Sequence, residues 1–175
     1  MFTVKKINTL NHKYEKKLNE LLNGDNTCSI ENINKSCFAS EACSRGYGFQ
    51  SSKNILNSYE TYVILKEGDV CGCFCTELNY KLDHFPEIIS EKNSLFIHTL
   101  CIDSELRGKN IGSLVIKKLK ERKVPMYLYV LNGKVQYVKK FKEFFDKRTI
   151  NLTRFYEKTG FVKIDENNKF LLFKI

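Results

Sequence analysis

Leu95-Phe-Ile-His-Thr-Leu-Cys-Ile-Asp-Ser-Glu-Leu-Arg-Gly-Lys-Asn-Ile-Gly-Ser-Leu-Val-Ile116 is the stretch whose reading decides the fold. An apolar run from Leu95 to Ile102 stops at Asp103 and Ser104. A basic, glycine-containing turn follows, from Arg107 to Gly112, and an amphipathic segment opens at Ser113. Strand, turn and helix in this order present a row of backbone N–H groups to an anion at the helix start. Gly108 and Gly112 remove side chains that would block a phosphate, and Arg107 and Lys109 add positive charge beside them. A charged turn capping an ordinary helix is the plainer reading of the same residues.

The turn contains neither G-x-G-x-x-G nor a closing Gly-Lys-Ser/Thr, so it is not a dinucleotide fingerprint or a Walker loop. Downstream, Arg154-Phe-Tyr-Glu-Lys-Thr-Gly-Phe161 has the form of a short helix stopped by a glycine. Gly160 suits the left-handed position after a helix end, with Phe155 and Phe161 packing around it. Together these segments resemble two signatures of the GNAT superfamily of N-acetyltransferases: an acyl-CoA-binding loop, Arg/Gln-x-x-Gly-x-Gly/Ala, and a late helix–glycine motif. Asn110 stands where the family usually has its middle glycine, and Asn is the residue after glycine that best tolerates a left-handed backbone. The resemblance runs from about Phe2 to Ile175, with only these two segments specific. It implies a mixed α/β fold: a central, mostly antiparallel sheet with one splayed parallel strand pair, flanked by helices.

A chain of 175 residues suits a single domain, 1–175, and its 42% hydrophobic composition is globular. No apolar run approaches membrane-spanning length, and Met1-Phe-Thr-Val-Lys-Lys has no signal-peptide core. Seven cysteines form no disulfide-like framework, so a reducing, cytoplasmic setting is expected. Cys71, Cys73 and Cys75 alternate on one strand face, where they read as small apolar residues; zinc would need a fourth ligand and a different spacing. Of the net charge of +9, the segment from Arg107 to Arg148 carries more than all, with thirteen Lys/Arg against three Asp/Glu. Such a surplus invites a nucleic-acid partner. The phosphates of CoA, or a solvated helix face, explain it more simply, and no nucleic-acid-binding motif accompanies it.

Along the chain, Phe2 to Ile7 reads as a strand, and Tyr14, Leu18, Leu21 and Leu22 fall at helical spacing from His12 onward. Ile30 to Ser58 reads as one or two short helices with a glycine-rich decoy, Arg45-Gly-Tyr-Gly48, in a loop. Thr61 to Lys66 and Val70 to Leu78 form a hairpin about Glu67-Gly-Asp69. Asn79 to Asn93 reads as a loop with about one helical turn. Gly112 to Lys123 is expected as a helix with Leu114, Val115 and Leu119 inward, Met126 to Leu131 as a parallel strand after it, and Phe170 to Ile175 as a closing strand. A basic helical insert at about 132–150 separates that parallel strand from the late motif, with Val135, Val138, Phe141 and Phe145 at helical spacing and lysines on the other face. The family's usual Asn and Ala before the tyrosine are Thr149 and Leu152 here.

Acetyl transfer to an amine needs a base route for the amine proton and an acid for the leaving thiolate. The resemblance assigns the acid to Tyr156, whose reference pKa of about 10 exceeds that of a thiol near 8.5; the bland alternative is a helix tyrosine with a buried ring and a wet hydroxyl. His98 is the candidate base, matching the second of two histidines in this strand of arylalkylamine-type members; the first is Phe96 here. A hydrogen-bonded core histidine is the alternative, with Glu91 and Glu87 as fallback bases through water. By the same resemblance, backbone groups of Leu100, Cys101 and Ile102 hold the pantetheine. Arg107, Gly108, Lys109, Asn110, Ile111, Gly112 and Ser113 hold the pyrophosphate. Acetyl-CoA is the implied co-substrate, no metal is required, and a small amine is favoured over a protein lysine or α-amino terminus. A CoA-binding or interaction module without catalysis is the rival reading; no membrane partner is expected.

Overall fold

Alternating apolar patterns become strands and 3.6-periodic ones become helices throughout the residues that the computed structural model describes: 1–8, 12–24, 29–35, 58–132 and 141–175. The order is β1 (Phe2–Ile7), α1 (His12–Asn23), α2 (Ile30–Lys35), β2 (Glu60–Lys66), β3 (Asp69–Leu78), β4 (Leu95–Ile102), a 3-10 turn (Ser104–Leu106), α3 (Ile111–Lys120), β5 (Met126–Leu131), α4 (Lys142–Lys158), β6 (Val162–Glu166) and β7 (Phe170–Lys174). The strands form one sheet in the order β1-β2-β3-β4-β5-β7-β6. β4 and β5 run parallel through Leu95↔Met126, Phe96↔Tyr127 and Ile97↔Leu128. The pairs β1–β2, β2–β3, β5–β7 and β6–β7 are antiparallel. The expected mixed sheet with one parallel pair is therefore observed.

Two compact units make up the chain: Met1–Thr76 with Thr99–Val115, and Glu77–His98 with Ile116–Ile175. In the first, α1 turns Tyr14, Leu18, Leu21 and Leu22 to one side, where they bury with Val63, Val70, Cys73, Cys75 and Cys101. Each leucine buried there contributes about 1.5–3 kcal/mol. Cys73 and Cys75 thus act as small core residues, and burial pushes the Cys75 thiol up to about 11. Cys71, Cys73 and Cys75 are free, whereas Cys101 is disulfide-bonded, which departs from the expectation of wholly reduced cysteines. Spacing along the chain gave no framework because a bond to Cys101 depends on tertiary proximity.

In the second unit, Leu82, Phe85, Phe96, Tyr127, Phe170 and Leu172 form the core, with Tyr80, Ile88, Tyr129 and Leu131 packed against it. Residues 79–94 are built from turns without the helical turn expected there. Helix α3 starts at Ile111 and ends at Lys120, three residues short of the expected limit. It buries Ile111, Val115, Ile116 and Leu119, while Leu114, expected inward, is 53% exposed. The register is set by Ile111 and Ile116, which claim the inward stripe.

The expected insert helix and late-motif helix are one helix, α4, of 17 residues. Phe141, Phe145, Thr149, Leu152 and Tyr156 recur every three or four residues with no proline or glycine between them, so nothing divides the stripe. Its exposed residues, including Lys142, Glu143, Lys147, Glu157 and Lys158, carry both charges; Lys134, Lys139 and Lys140 of the expected lysine face lie outside the described residues. Lys142 pairs with Asp146 one turn on. Val135, Val138 and the decoy Arg45–Gly48 lie outside the described residues. Among the described residues, no helix is long and apolar enough to cross a membrane.

Candidate active site

The anion loop is built in the first unit. Asp103 Oδ1 accepts from Glu105 N at 3.2 Å and starts the 3-10 turn. Arg107 N and Lys109 N then donate to Ser104 and Leu106 carbonyls, both at 3.4 Å. Gly108 at φ +78° and Asn110 at φ +62° are both left-handed, so Asn110 takes the conformation its glycine-like position demands. Leu114 N donates to Asn110 O at 3.1 Å and opens α3. Among the described residues, no backbone acceptor meets the N–H groups of Gly108, Asn110, Ile111, Gly112 or Ser113. A left-handed turn leading into a helix start with unmet donors is a cradle for an anion.

The Arg107 side chain is also tied into the fold. Its Nε donates to Ile102 O at 3.0 Å and its Nη2 to Lys35 O at 3.1 Å. The guanidinium thus braces the loop against the end of β4 and the end of α2. Ile102 O, one of the groups assigned to pantetheine, is already an acceptor within the fold. Cys101 is fully buried, while Leu100 and Ile102 are half-buried.

His98 lies in the second unit, one residue beyond the last β4–β5 pair. Its Nε2 meets Glu77 Oε2, at the end of β3, at 2.9 Å. Burial lowers the imidazole pKa below its ordinary 6.5, and the hydrogen bond and charge of Glu77 pull it back up. Tyr80 and Phe96 set their rings edge-on to it, with centroids 4.7 and 4.8 Å away. Beyond Phe96 the aromatic packing continues through Tyr129 to His84, Phe85 and Phe170.

Tyr156 is fixed by the way α4 ends. Phe161 N donates to Tyr156 O at 3.0 Å and Gly160 N to Glu157 O at 2.9 Å, with Gly160 at φ +94°. This is the Schellman ending, in which the residue after the glycine packs back on the helix. Phe161 does so on Tyr156, ring centroids 5.7 Å apart, with Phe155 and Phe173 on other sides. The expected aromatic flanks of Gly160 therefore close on the tyrosine itself. Tyr156 is 8% exposed, and burial pushes its phenol up to about 12. Thr149, at the family's Asn position, donates from Oγ1 to Leu131 O at 2.9 Å and ties α4 to the end of β5.

The fallback bases fare unequally. Glu91 is paired with Lys174, and Glu87 is exposed. Glu77 escaped sequence reasoning. It continues the alternation Cys71-Cys73-Cys75 as the first charged residue of that series, a faint signal that becomes a site feature only when β3 and β4 are neighbours. Among the described residues, no group of three or more His, Cys, Asp or Glu side chains is arranged to hold a metal ion.

Comparison with known proteins bears on the whole arrangement. The model of the acetyltransferase (GNAT) domain matches residues 57–163, which include both signature segments. No curated protein sequence matches. Among solved structures, a protein of Pyrococcus horikoshii OT3 is similar at TM-score 0.62 and 16% identity, over 99% of this chain and 97% of that one. A GNAT-family acetyltransferase of Listeria monocytogenes is similar at TM-score 0.59 and 14% identity, over 99% and 94%. One from Elizabethkingia anophelis, with acetyl-CoA bound, is similar at TM-score 0.55 and 15% identity, over 99% and 97%. Identity this low carries the fold, and the domain match over more than half of the chain carries the family: the chain belongs to the GNAT acetyltransferases and is an acyltransferase.

Proposed function

We propose that this chain moves an acetyl group from acetyl-CoA to a small primary amine by direct attack of the amine on the thioester. The observation that carries the donor is the cradle of five N–H groups from Gly108 to Ser113, opened by two left-handed residues. These groups fit a pyrophosphate, with Lys109 adding charge from the exposed side. Leu100 to Ile102 supply strand backbone for the pantetheine amides. Bound there, acetyl-CoA supplies the activated carbonyl.

His98 serves as the base. Burial keeps its imidazole neutral near pH 7, the form able to accept the amine proton directly or through one water. Tyr156 serves as the acid. At about 12, its phenol is protonated throughout the working range. Donation to a thiolate near 8.5 is uphill by a few kcal/mol. Tyr156 therefore donates late, to a sulfur already charged by C–S cleavage. A small amine is favoured because His98, matched to the arylalkylamine-type members, sits among aromatic rings.

Calorimetry with acetyl-CoA, and with CoA for comparison, tests the donor half, using Gly112→Glu as control. Micromolar binding, weakened at least about 100-fold by a carboxylate placed at the helix start, is the expected result. Absence of binding to the wild type would remove the transferase reading. Binding without turnover of any amine or peptide would leave a silent CoA-binding module.

A further inference from the structure

We infer that Glu77 is the positioning residue of His98: its carboxylate holds the Nε2 proton, assigns the amine proton to Nδ1, and stabilises the imidazolium that results. The inference rests on the reading of His98 as the base. Its foundation is the 2.9 Å contact between His98 Nε2 and Glu77 Oε2, side chains 13% and 39% exposed. An ionised carboxylate only accepts, so the shared hydrogen resides on Nε2 and the lone pair of the neutral ring on Nδ1.

Neighbours from three positions hold the ring. Glu77 holds one corner, Tyr80 lies edge-on at 79° between planes, and Phe96 at 64°. Glu77 from β3 and Tyr80 from the 79–94 loop are titratable groups that face the imidazole; Phe96, its neighbour on β4, is neutral. Burial lowers the basicity of the ring, and the partly exposed carboxylate beside it pulls that basicity back up.

The step balances. The amine N–H bond breaks and its proton joins Nδ1, while the nitrogen lone pair forms the C–N bond. The C–S bond breaks with its electron pair on sulfur, which gains the Tyr156 proton. The Nε2 proton stays between ring and carboxylate. Solvent restores both groups after release.

The test is nitrogen-15 NMR titration of the His98 ring in the wild type, Glu77→Gln and Glu77→Asp. It is joined to pH profiles of kcat/KM with acetyl-CoA and phenethylamine as the probe acceptor. The expected wild-type ring carries its proton on Nε2 when neutral. Glu77→Gln lowers its midpoint by on the order of one pH unit, moves the acidic limb of kcat/KM equally, and lowers the plateau about tenfold. Glu77→Asp keeps the charge and recovers most of the limb. A neutral ring protonated on Nδ1, or a midpoint unmoved in Glu77→Gln, would overturn the role of Glu77. A midpoint that moves while the rate profile does not would instead overturn His98 as the base, and the role of Glu77 with it.

Discussion

The loop from Asp103 to Ser113 and the groups proposed to handle protons, His98, Glu77 and Tyr156, are built by opposite routes. The loop is made of backbone. Two left-handed residues and a helix start leave its N–H groups without a backbone acceptor among the described residues, and Arg107 uses its side chain to brace the turn. The second set is made of side chains whose chemistry depends on neighbours distant in sequence. Glu77 meets His98 across 21 positions, and the Tyr156 phenol is raised because the end of α4 folds back under Phe161. A backbone site tolerates exchange of side chains that keep its torsions. A side-chain site fails with one atom.

Tyr156→Phe breaks the comparison most sharply. Loss of one hydroxyl should lower kcat about 100-fold while acetyl-CoA affinity, measured by calorimetry, changes less than about threefold. Unchanged turnover would leave Tyr156 a core residue only. His98→Ala comes next, with an expected loss of about tenfold or more in kcat/KM at neutral pH and partial recovery as pH rises and more amine is neutral. It carries a stability signature too. Because folding lowers the His98 pKa below 6.5, the unfolded chain holds more protons in the window just below that value. Stability should therefore rise with pH through it, and the slope should flatten in His98→Ala, as denaturant titrations across that range would show.

Gly160→Ala tests the support of Tyr156. A Cβ there needs a left-handed alanine and comes within 3.0 Å of Ile175 Cδ1 and Lys120 Nζ. The cost should be about 1–2 kcal/mol, lowering the thermal midpoint by about 5 °C, with a smaller fall in kcat. The smallest effect sharpens the other side. Asn110→Gly keeps φ +62° and changes no N–H, so acetyl-CoA affinity should stay within about twofold and stability within about 0.5 kcal/mol. A large change in either would mean that the asparagine side chain itself takes part.

Several features were legible because their physics is local. The apolar run of β4, the turn through Gly108, the α1 stripe from Tyr14 to Leu22 and the stop at Gly160 are each specified by residues within a few positions of one another. Leu114 shows where locality ends: its spacing allowed an inward face, and packing by Ile111 and Ile116 decided otherwise. The division of insert from late helix failed similarly, since an uninterrupted stripe carries no boundary of its own.

The sequence by itself determined the strand–turn–helix cradle, the helix ending around Tyr156 and membership of a mixed α/β class, because torsional preference and hydrophobic period act over short range. Only the tertiary structure decided that Arg107 reaches Lys35 O, that Cys101 is disulfide-bonded, and that Glu77 meets His98. Those outcomes depend on which strands and helices become neighbours, a choice made by burial of the whole core and written in no single segment.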